Sequence, residues 1–213
     1  MNRHGLEVCN ITAVWAKFGQ ESRVEIAMRE WVNACKDKGR KVSLIRQSSS
    51  DTGAFFTMEI FDNQDQVEQM ADDSFPSKSK FYTAIRDHVA KQSIYERTNI
   101  IRASSIQRET ANEKINYYEF QVKGNPKEFL DTAEIVSDYL ENIGWQFYWF
   151  EYTSGLLGRF MLLVSTDSHE IHDHNYASAL DDPSFALHWY RLFELCHINP
   201  THNRARSLIK LNE

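Results

Sequence analysis

The feature that most constrains this 213-residue sequence is an internal repeat with a period of about 105 residues. Four glycines keep the same spacing in both copies: Gly39 and Gly53 in the first copy, and Gly144 and Gly158, 105 positions later, in the second. Turn signals and apolar segments follow one another in the same order around both pairs, which indicates two copies of one structural unit. We therefore predict two tandem domains, residues 1–103 and 113–213, joined by the polar stretch 104–112.

Each copy is predicted to fold in the order β-α-β-β-α-β, because segments rich in β-forming residues alternate with segments of helical periodicity. The predicted elements of the first copy are strand Val8–Phe18, helix Glu21–Lys38, strands Lys41–Gln47 and Ala54–Phe61, a helical stretch over 63–91 interrupted near Pro76, and strand Ile94–Ile101. Those of the second copy are strand Ile115–Val122, helix Pro126–Ile143, strands Trp145–Tyr152 and Arg159–Ser165, helices between His169 and Leu195, and strand Ala205–Leu211.

This order is that of the split βαβ, or ferredoxin-like, motif, an α+β architecture with both helices on one face of a four-stranded antiparallel sheet. The other face of such a sheet is uncovered, and a large exposed apolar face is unfavourable in water. Since the chain carries two such sheets, we expect them to pack face to face as an intrachain α/β barrel.

Composition and charge exclude several classes of protein. With 42% hydrophobic and 25% charged residues the chain has the composition of a globular protein. The net charge of −6 disfavours nucleic acid as a partner. No signal peptide and no membrane-spanning segment are evident, and three cysteines without CxxC spacing favour a reducing cytoplasm. We expect a small-molecule ligand and a monomer or weak homodimer.

The segments 51–61, 65–75 and 81–85 resemble the central hairpin and following helices of antibiotic biosynthesis monooxygenase domains, members of the dimeric α/β-barrel superfamily. The resemblance covers nearly the whole chain as two tandem domains. It implies one of several tasks: cofactor-independent oxygenation of aromatic compounds, haem degradation, lactone isomerisation or ligand binding. Many relatives carry a histidine where Gln69 and Ala179 stand here, which argues against haem degradation.

Strand alternation predicts which side chains face the space between the two sheets. In 54–61 the apolar set Phe56, Met58 and Ile60 is expected to face the helices, and in 115–122 the set with Tyr118 is expected to do so. The strand 145–152 is almost wholly aromatic, and alternation leaves open which of its two sets faces the cleft. The candidate ligand-binding residues are Phe55, Thr57, Tyr117, Trp149, Glu151 and Tyr152, with Arg46 at the position that corresponds to Glu151.

Three strand carboxylates are the candidate chemical groups: Glu59, Glu119 and Glu151. A carboxylate enclosed by aromatic rings has a raised pKa, because burial disfavours its charged form, and it can then act as a base towards a phenol or an activated C–H bond. We predict Glu59 or Glu119 as this base. The competing interpretation, a structural ion pair with a nearby Arg or Lys, is the more frequent one for any single strand carboxylate.

The segment Ser168-His-Glu-Ile-His-Asp-His174 contains histidines at helical spacing that could share a metal ion. Serine and aspartate before it are typical helix caps, so a solvated first turn is the favoured interpretation and no metal site is expected. The remaining histidines are scattered along the chain, and His88 is the candidate axial ligand for a haem alternative.

No GxGxxG, Walker, GxSxG or CxxC motif is present, so no nucleotide or other cofactor is expected. The sequence then supports a small-molecule-binding barrel, with a cofactor-independent monooxygenase of aromatic or phenolic substrates as the first hypothesis. A non-catalytic ligand-binding or regulatory module and a haem-binding protein are the alternatives, since the fold alone does not decide between them.

Overall fold

The computed structural model describes residues 7–48, 53–90, 94–106 and 114–210, with the backbone alone at 70–78. These residues form two compact units. Unit 1 contains the described residues up to Asn99 together with 205–210, and unit 2 contains those between Ile100 and Arg204. The boundaries of the two sequence copies, 1–103 and 113–213, stay a prediction, since a compact unit and a repeated sequence need not coincide.

Both units follow the predicted order of elements. Unit 1 contains strands β1 (Val8–Trp15), β2 (Lys41–Gln47) and β3 (Ala54–Phe61), helices α1 (Glu21–Lys36) and α2 (Gln64–Ile85), and a short 3-10 helix, Arg86–His88. Strand β4 (Ile94–Ala103) follows and belongs to unit 1 up to Asn99 and to unit 2 beyond it. Unit 2 contains β5 (Lys114–Gln121), α3 (Lys127–Asn142), β6 (Gln146–Tyr152), β7 (Arg159–Thr166), α4 (His169–Leu180) and α5 (Pro183–Glu194). Strand β8 (Thr201–Ile209) begins in unit 2 and ends in unit 1.

The strand pairs with a described register are antiparallel, as the ferredoxin-like motif requires. The hydrogen-bonded strand order is β4-β1-β3-β2-β8 in unit 1 and β8-β5-β7-β6-β4 in unit 2, with β4 and β8 each divided between the two units. The predicted α+β class, two ferredoxin-like units of the α/β-barrel type, is confirmed.

The turn glycines of the repeat have the same backbone conformation in both units. Gly39 and Gly144 follow α1 and α3 with φ of 74° and 80°, and Gly53 and Gly158 precede β3 and β7 with φ of 54° and 75°. These left-handed values are costly for residues with a Cβ atom. Glycines that are 105 residues apart therefore have equivalent backbone conformations, as the register predicted from the sequence requires.

Three predicted element limits are wrong. Helix α2 continues through Pro76, because a proline removes one backbone donor without ending every helix that contains it. Strand β1 ends at Trp15, and Phe18 lies beyond it with 95% of its surface exposed. Strand β8 begins at Thr201, four residues before the predicted Ala205. Among the described residues, no helix combines the length and hydropathy needed to cross a membrane.

Candidate functional site

The helix-facing side of the unit 1 sheet is opposite to the predicted one on β3. Phe55 is fully buried in a core with Val24 and Met28 of α1 and Leu44 of β2. Because alternate residues share a face, Thr57 and Glu59 also lie on the helix side. The prediction that these three residues line a cleft away from the helices is wrong, since the chain places a buried ion pair among the apolar residues of this face.

That ion pair joins Glu59 to Arg40, the residue before β2, and the two side chains are only 6% and 7% exposed. Burial lowers the pKa of Arg40, but its hydrogen bond to Glu59 and the charge of that carboxylate outweigh burial and leave the pKa above its ordinary value. Glu59 therefore has the structural role that the competing interpretation predicts. A base occupied by a buried guanidinium is poorly placed to accept a substrate proton.

Arg46, predicted as a ligand-binding residue, is held on the helix side of unit 1. Its Nη1 donates to Glu25 Oε2 of α1 at 3.3 Å, and its guanidinium lies 5.5 Å from the centre of the Phe55 ring. Both contacts fix the side chain against α1, so Arg46 contributes to packing of that helix.

In unit 2 the predicted faces of β5 are confirmed. Tyr118 and Phe120 belong to the core beneath the helices, which leaves Tyr117 and Glu119 on the opposite face. Of the two sets that the sequence left open on β6, the one with Trp149 faces the helices, and Trp149 is 1% exposed in that core. The alternation places Glu151 on the same side and Tyr152 opposite to it, so Trp149 is a core residue and not a cleft wall.

The face of the unit 2 sheet opposite the helices carries a polar group of side chains that we name the Glu119 cluster: Tyr117, Glu119, Tyr152, Arg159 and Thr201. The Tyr152 hydroxyl and Arg159 Nη2 each lie 3.4 Å from Glu119 Oε1, both as donors. Thr201 Oγ1 lies 3.5 Å from the other carboxylate oxygen. The Arg159 guanidinium stands 4.1 Å from the centre of the Tyr152 ring, a cation–π contact that orients both groups.

The Glu119 cluster combines a reachable carboxylate with a cation and two phenols. The Glu119 side chain is 38% exposed and Arg159 is 27% exposed, whereas the Glu59 side chain is 6% exposed. Burial, followed by the charge of Glu119, raises the pKa of Tyr117, so this phenol stays protonated at neutral pH. The contacts at 3.4–3.5 Å are long for hydrogen bonds, and a ligand can replace them at low cost.

A second polar group, the His172 cluster, lies on the helix side of unit 2 and was not predicted as a unit: Tyr118, His172, Asp173, His202 and Arg204. Tyr118 Oη is 3.3 Å from His172 Nε2, and His172 Nδ1 is 3.3 Å from Asp173 Oδ1. Arg204 holds both oxygens of Asp173 at 2.8 Å. The His202 ring stacks on Tyr118 with centres 4.5 Å apart, and its Nε2 is 3.1 Å from Asn116 Oδ1.

The interpretation of this histidine segment as a solvated first turn is wrong for His172, which is 1% exposed and stacks on Trp145. Burial lowers the pKa of His172 to about 4 against the opposing hydrogen bond from Asp173, so the imidazole is neutral at pH 7. The predicted cap is present, since Ser168 Oγ accepts from the Ile171 backbone at 3.0 Å. The spacing of His172, Tyr176 and Ala179 on one helix face was the signal for burial. Among the described residues no group of three or more metal-ligating side chains is found.

The two units have ferredoxin-like folds in tandem. Solved structures share this fold over nearly the whole chain. A proposed monooxygenase from Fusobacterium nucleatum has a TM-score of 0.77 at 13% identity, with 96% of this chain and 94% of that chain covered. A proposed monooxygenase from Lactobacillus acidophilus has a TM-score of 0.71 at 9% identity, with 94% of each chain covered.

An anthrone oxidase-like protein has a TM-score of 0.71 at 12% identity, with 96% of this chain and 92% of that chain covered. No protein-family model and no curated protein matches the sequence. At these identities the likeness describes the fold, and the chemistry has to be argued from the side chains of this chain.

Proposed function

We propose that this protein binds a small aromatic molecule and oxidises it with dioxygen without a bound cofactor, using Glu119 as the base. The observation that carries the proposal is the Glu119 cluster, in which a partly exposed carboxylate lies beside a cation and two phenols. The fold likeness to proteins described as monooxygenases and anthrone oxidase-like supports this class of reaction.

Each residue of the cluster has a role in this proposal. Glu119 accepts a proton from a phenol or from an activated C–H bond of the substrate. Arg159, which touches the same carboxylate oxygen, stabilises the negative charge that then develops on the substrate. Tyr117 provides aromatic surface for a planar ring, and the Tyr152 hydroxyl can donate to the substrate oxygen once the ligand has replaced its long contact with Glu119.

The net reaction that fits these roles converts a ring CH2 group and O2 into a ring carbonyl and water. Glu119 removes one proton from the CH2 carbon, and the electron pair left behind delocalises into the aromatic system. Transfer of two electrons to O2 forms a carbon–oxygen bond and a hydroperoxide, which takes the proton back from Glu119. Loss of water from the hydroperoxide breaks the O–O bond and the second C–H bond and leaves the carbonyl.

The test is dioxygen consumption with a panel of anthrones and phenols. We expect Glu119→Gln to lower kcat by about 100-fold or more, the usual contribution of a positioned base. The matched control is Glu128→Gln on α3, which also removes a carboxylate paired with an arginine, Arg191, at 2.6 Å on the exposed surface. It should leave kcat within about twofold, since surface pairs contribute little. Equal turnover by the two variants would remove Glu119 as the base.

The alternative of a non-catalytic ligand-binding module predicts a different outcome for the same panel. Compounds would then quench tryptophan fluorescence on binding without any dioxygen uptake by the wild-type protein. The haem alternative, with His88 as the candidate axial ligand, predicts a third outcome. Addition of haem would then give a Soret band, and no Soret band with haem added would remove this alternative.

We further propose a monomer or weak homodimer in a reducing cytoplasm. Cys9, Cys35 and Cys196 are buried free thiols, as expected for a protein kept from oxidising conditions. Light scattering at two protein concentrations tests the oligomeric state, and a stable assembly larger than a dimer at micromolar concentration would contradict it.

A further inference from the structure

Polar atoms without a hydrogen-bond partner collect near the beginning of α4. The Asn116 side chain is fully buried, and its Nδ2 has no partner among the described residues. Both ring nitrogens of His169 are shielded from solvent and also lack a partner within the part of the chain that the structure describes. A buried donor without an acceptor loses its hydrogen bonds to water without replacement and destabilises the fold. Two such residues at one place call for a group that supplies acceptors.

The strand register brings these residues together. Lys114, Asn116 and Tyr118 alternate along the helix-facing side of β5. Lys114 is paired with Thr166 on β7, and α4 begins three residues later at His169. Asn116 is in turn connected to β8, since its Oδ1 lies 3.1 Å from His202 Nε2. The start of α4, the start of β5 and the start of β8 therefore meet on one side of unit 2.

The cations near His169 are on other elements, while Asp167 and Glu170 flank it on its own segment. Burial lowers the pKa of His169, and the charges of Arg204 on β8 and Lys114 on β5 lower it further, while Asp173 on α4 acts in the opposite direction. Asp173 is already held by Arg204 through two contacts of 2.8 Å. The neighbouring His172 and His202 have lowered pKa values, caused first by burial, and add no charge at neutral pH. The amino-terminal end of α4 contributes a further partial positive charge.

We propose that Lys114, Asn116, His169 and the first turn of α4 form a binding site for an oxyanion, either a carboxylate or a phosphate group. An oxyanion supplies acceptors for the Asn116 amide and for a His169 N–H, and its charge compensates Lys114. A cation is disfavoured, because Lys114 and Arg204 lie at the site and Asp173 is already paired with Arg204. His169 is half-buried, so rotation of its ring brings a nitrogen towards an entering ligand. This site is separate from the Glu119 cluster and does not depend on the proposed function.

Binding at this site has a defined pH dependence. A bound anion next to His169 favours the protonated ring, so binding takes up a proton. The affinity for acetate, which stays ionised, is therefore expected to rise as the pH falls from 8 to 6. The other charged and titratable groups around His169 are Lys114, Arg204, Asp167, Glu170, Asp173, His172 and His202.

The experiment is an NMR titration of the folded protein with inorganic phosphate and, separately, with acetate, at an ionic strength held constant with sodium chloride. The His169 imidazole signal, identified by its loss in His169→Gln, is expected to shift in a saturable way. Lys114→Gln and His169→Gln should each weaken binding, followed by backbone signals, about tenfold, which corresponds to 1.4 kcal/mol. The matched control Lys127→Gln, an exposed lysine paired with Asp131 on α3, should leave the affinity unchanged.

The outcomes are distinguishable. Tighter binding of phosphate than acetate assigns a phosphate ligand, and the reverse assigns a carboxylate. Shifts that chloride reproduces at equal ionic strength, or equal weakening by Lys114→Gln and Lys127→Gln, would overturn the site. Asn116→Asp replaces the amide donor by a carboxylate and should abolish binding. If that variant does not fold, the variants of the half-buried residues Lys114 and His169 still test whether the site binds an anion. Glu119→Gln should leave phosphate binding unaltered, so failure of the proposed function and failure of this site give different results.

Discussion

Unit 1 and unit 2 share an order of elements and a register of turn glycines, yet their described residues differ at the positions that form the Glu119 cluster. The 105-residue register and the strand pairs give the equivalent positions: Glu119, Arg159 and Tyr152 of unit 2 correspond to Ala13, Ala54 and Gln47 of unit 1. The carboxylate and the cation are thus replaced by alanines. The difference teaches that the fold sets the same positions in both units, while the proposed catalytic carboxylate and its arginine are present in unit 2 alone among these equivalent positions.

On the helix-facing side of the sheets, unit 1 has the charged residues and unit 2 has apolar residues at the equivalent positions. Unit 1 buries the ion pair of Arg40 and Glu59, and unit 2 has Trp145 and Val164 at the equivalent positions, 2% and 0% exposed in its aromatic core. The same two positions of the fold therefore accept either a charged pair or an apolar pair. A buried ion pair carries a large desolvation penalty, so the two solutions differ more in specificity than in net stability.

The largest expected effect on stability comes from breaking the unit 1 pair. Glu59→Gln leaves the Arg40 charge buried without its counter-ion and should lower the free energy of unfolding by about 3–5 kcal/mol. Urea denaturation measures this loss. A loss below about 1 kcal/mol would show that water or another group compensates Arg40.

The double variant Arg40→Trp/Glu59→Val sharpens the same comparison, because it places the unit 2 residues in unit 1. Replacing a buried ion pair by apolar residues of suitable volume is often neutral or stabilising. We expect the double variant to be more stable than Glu59→Gln alone. Equal or greater destabilisation would mean that the two units pack their helices too differently for the exchange.

The next largest expected effect is the loss of stability at low pH that results from protonation of His172 in unit 2. His172 has a pKa of about 4 in the folded chain, below its ordinary value of 6.5, so the unfolded chain binds a proton between these pH values and the folded chain does not. The free energy of unfolding should fall by roughly 3 kcal/mol from this group as the pH decreases from 7 to 4. Denaturation at several pH values should show a weaker pH dependence in His172→Gln. His174→Gln, an exposed histidine of the same helix, is the control, and an equal slope in both variants would contradict the assignment.

The smallest effect compares the caps of equivalent helices. Asn63 accepts from the Gln66 backbone at 3.0 Å in unit 1, and Ser168 accepts from the Ile171 backbone at 3.0 Å in unit 2. Asn63→Ala and Ser168→Ala should each cost about 1 kcal/mol of stability by thermal denaturation. Ser178→Ala, an exposed position within α4, should cost nothing. Two separate transitions, each shifted by only one of the cap variants, would show that the units do not unfold together.

The sequence was sufficient for the elements that depend on local patterns. The limits of β2 and β3 are as predicted, and the two turn glycines of each copy mark its hairpin. The face of β5 could be predicted, because its apolar residues alternate with polar ones. The face of β3 could not, since Phe55, Met58 and Glu59 are all buried and alternation does not distinguish two buried faces.

The candidate site was predictable in part for the same reason. Glu119, Tyr117 and Tyr152 follow from the pattern of their own strands. Arg159 and Thr201 meet Glu119 only through the pairing of β5 with β7 and β8, and no local signal in the sequence predicts that encounter. His172 was assigned to solvent because its neighbours in the sequence are polar, whereas its neighbours in space are aromatic.

Strand β8 has a consequence for biosynthesis. The part of β8 from Ala205 onwards pairs with β2 of unit 1, so the ribosome makes this neighbour of β2 only after the whole of unit 2. At about 5–20 residues per second, β2 waits of the order of ten seconds before its neighbour emerges. During that time β2 presents unpaired backbone groups, and a chaperone or rapid pairing elsewhere has to protect it from another nascent chain.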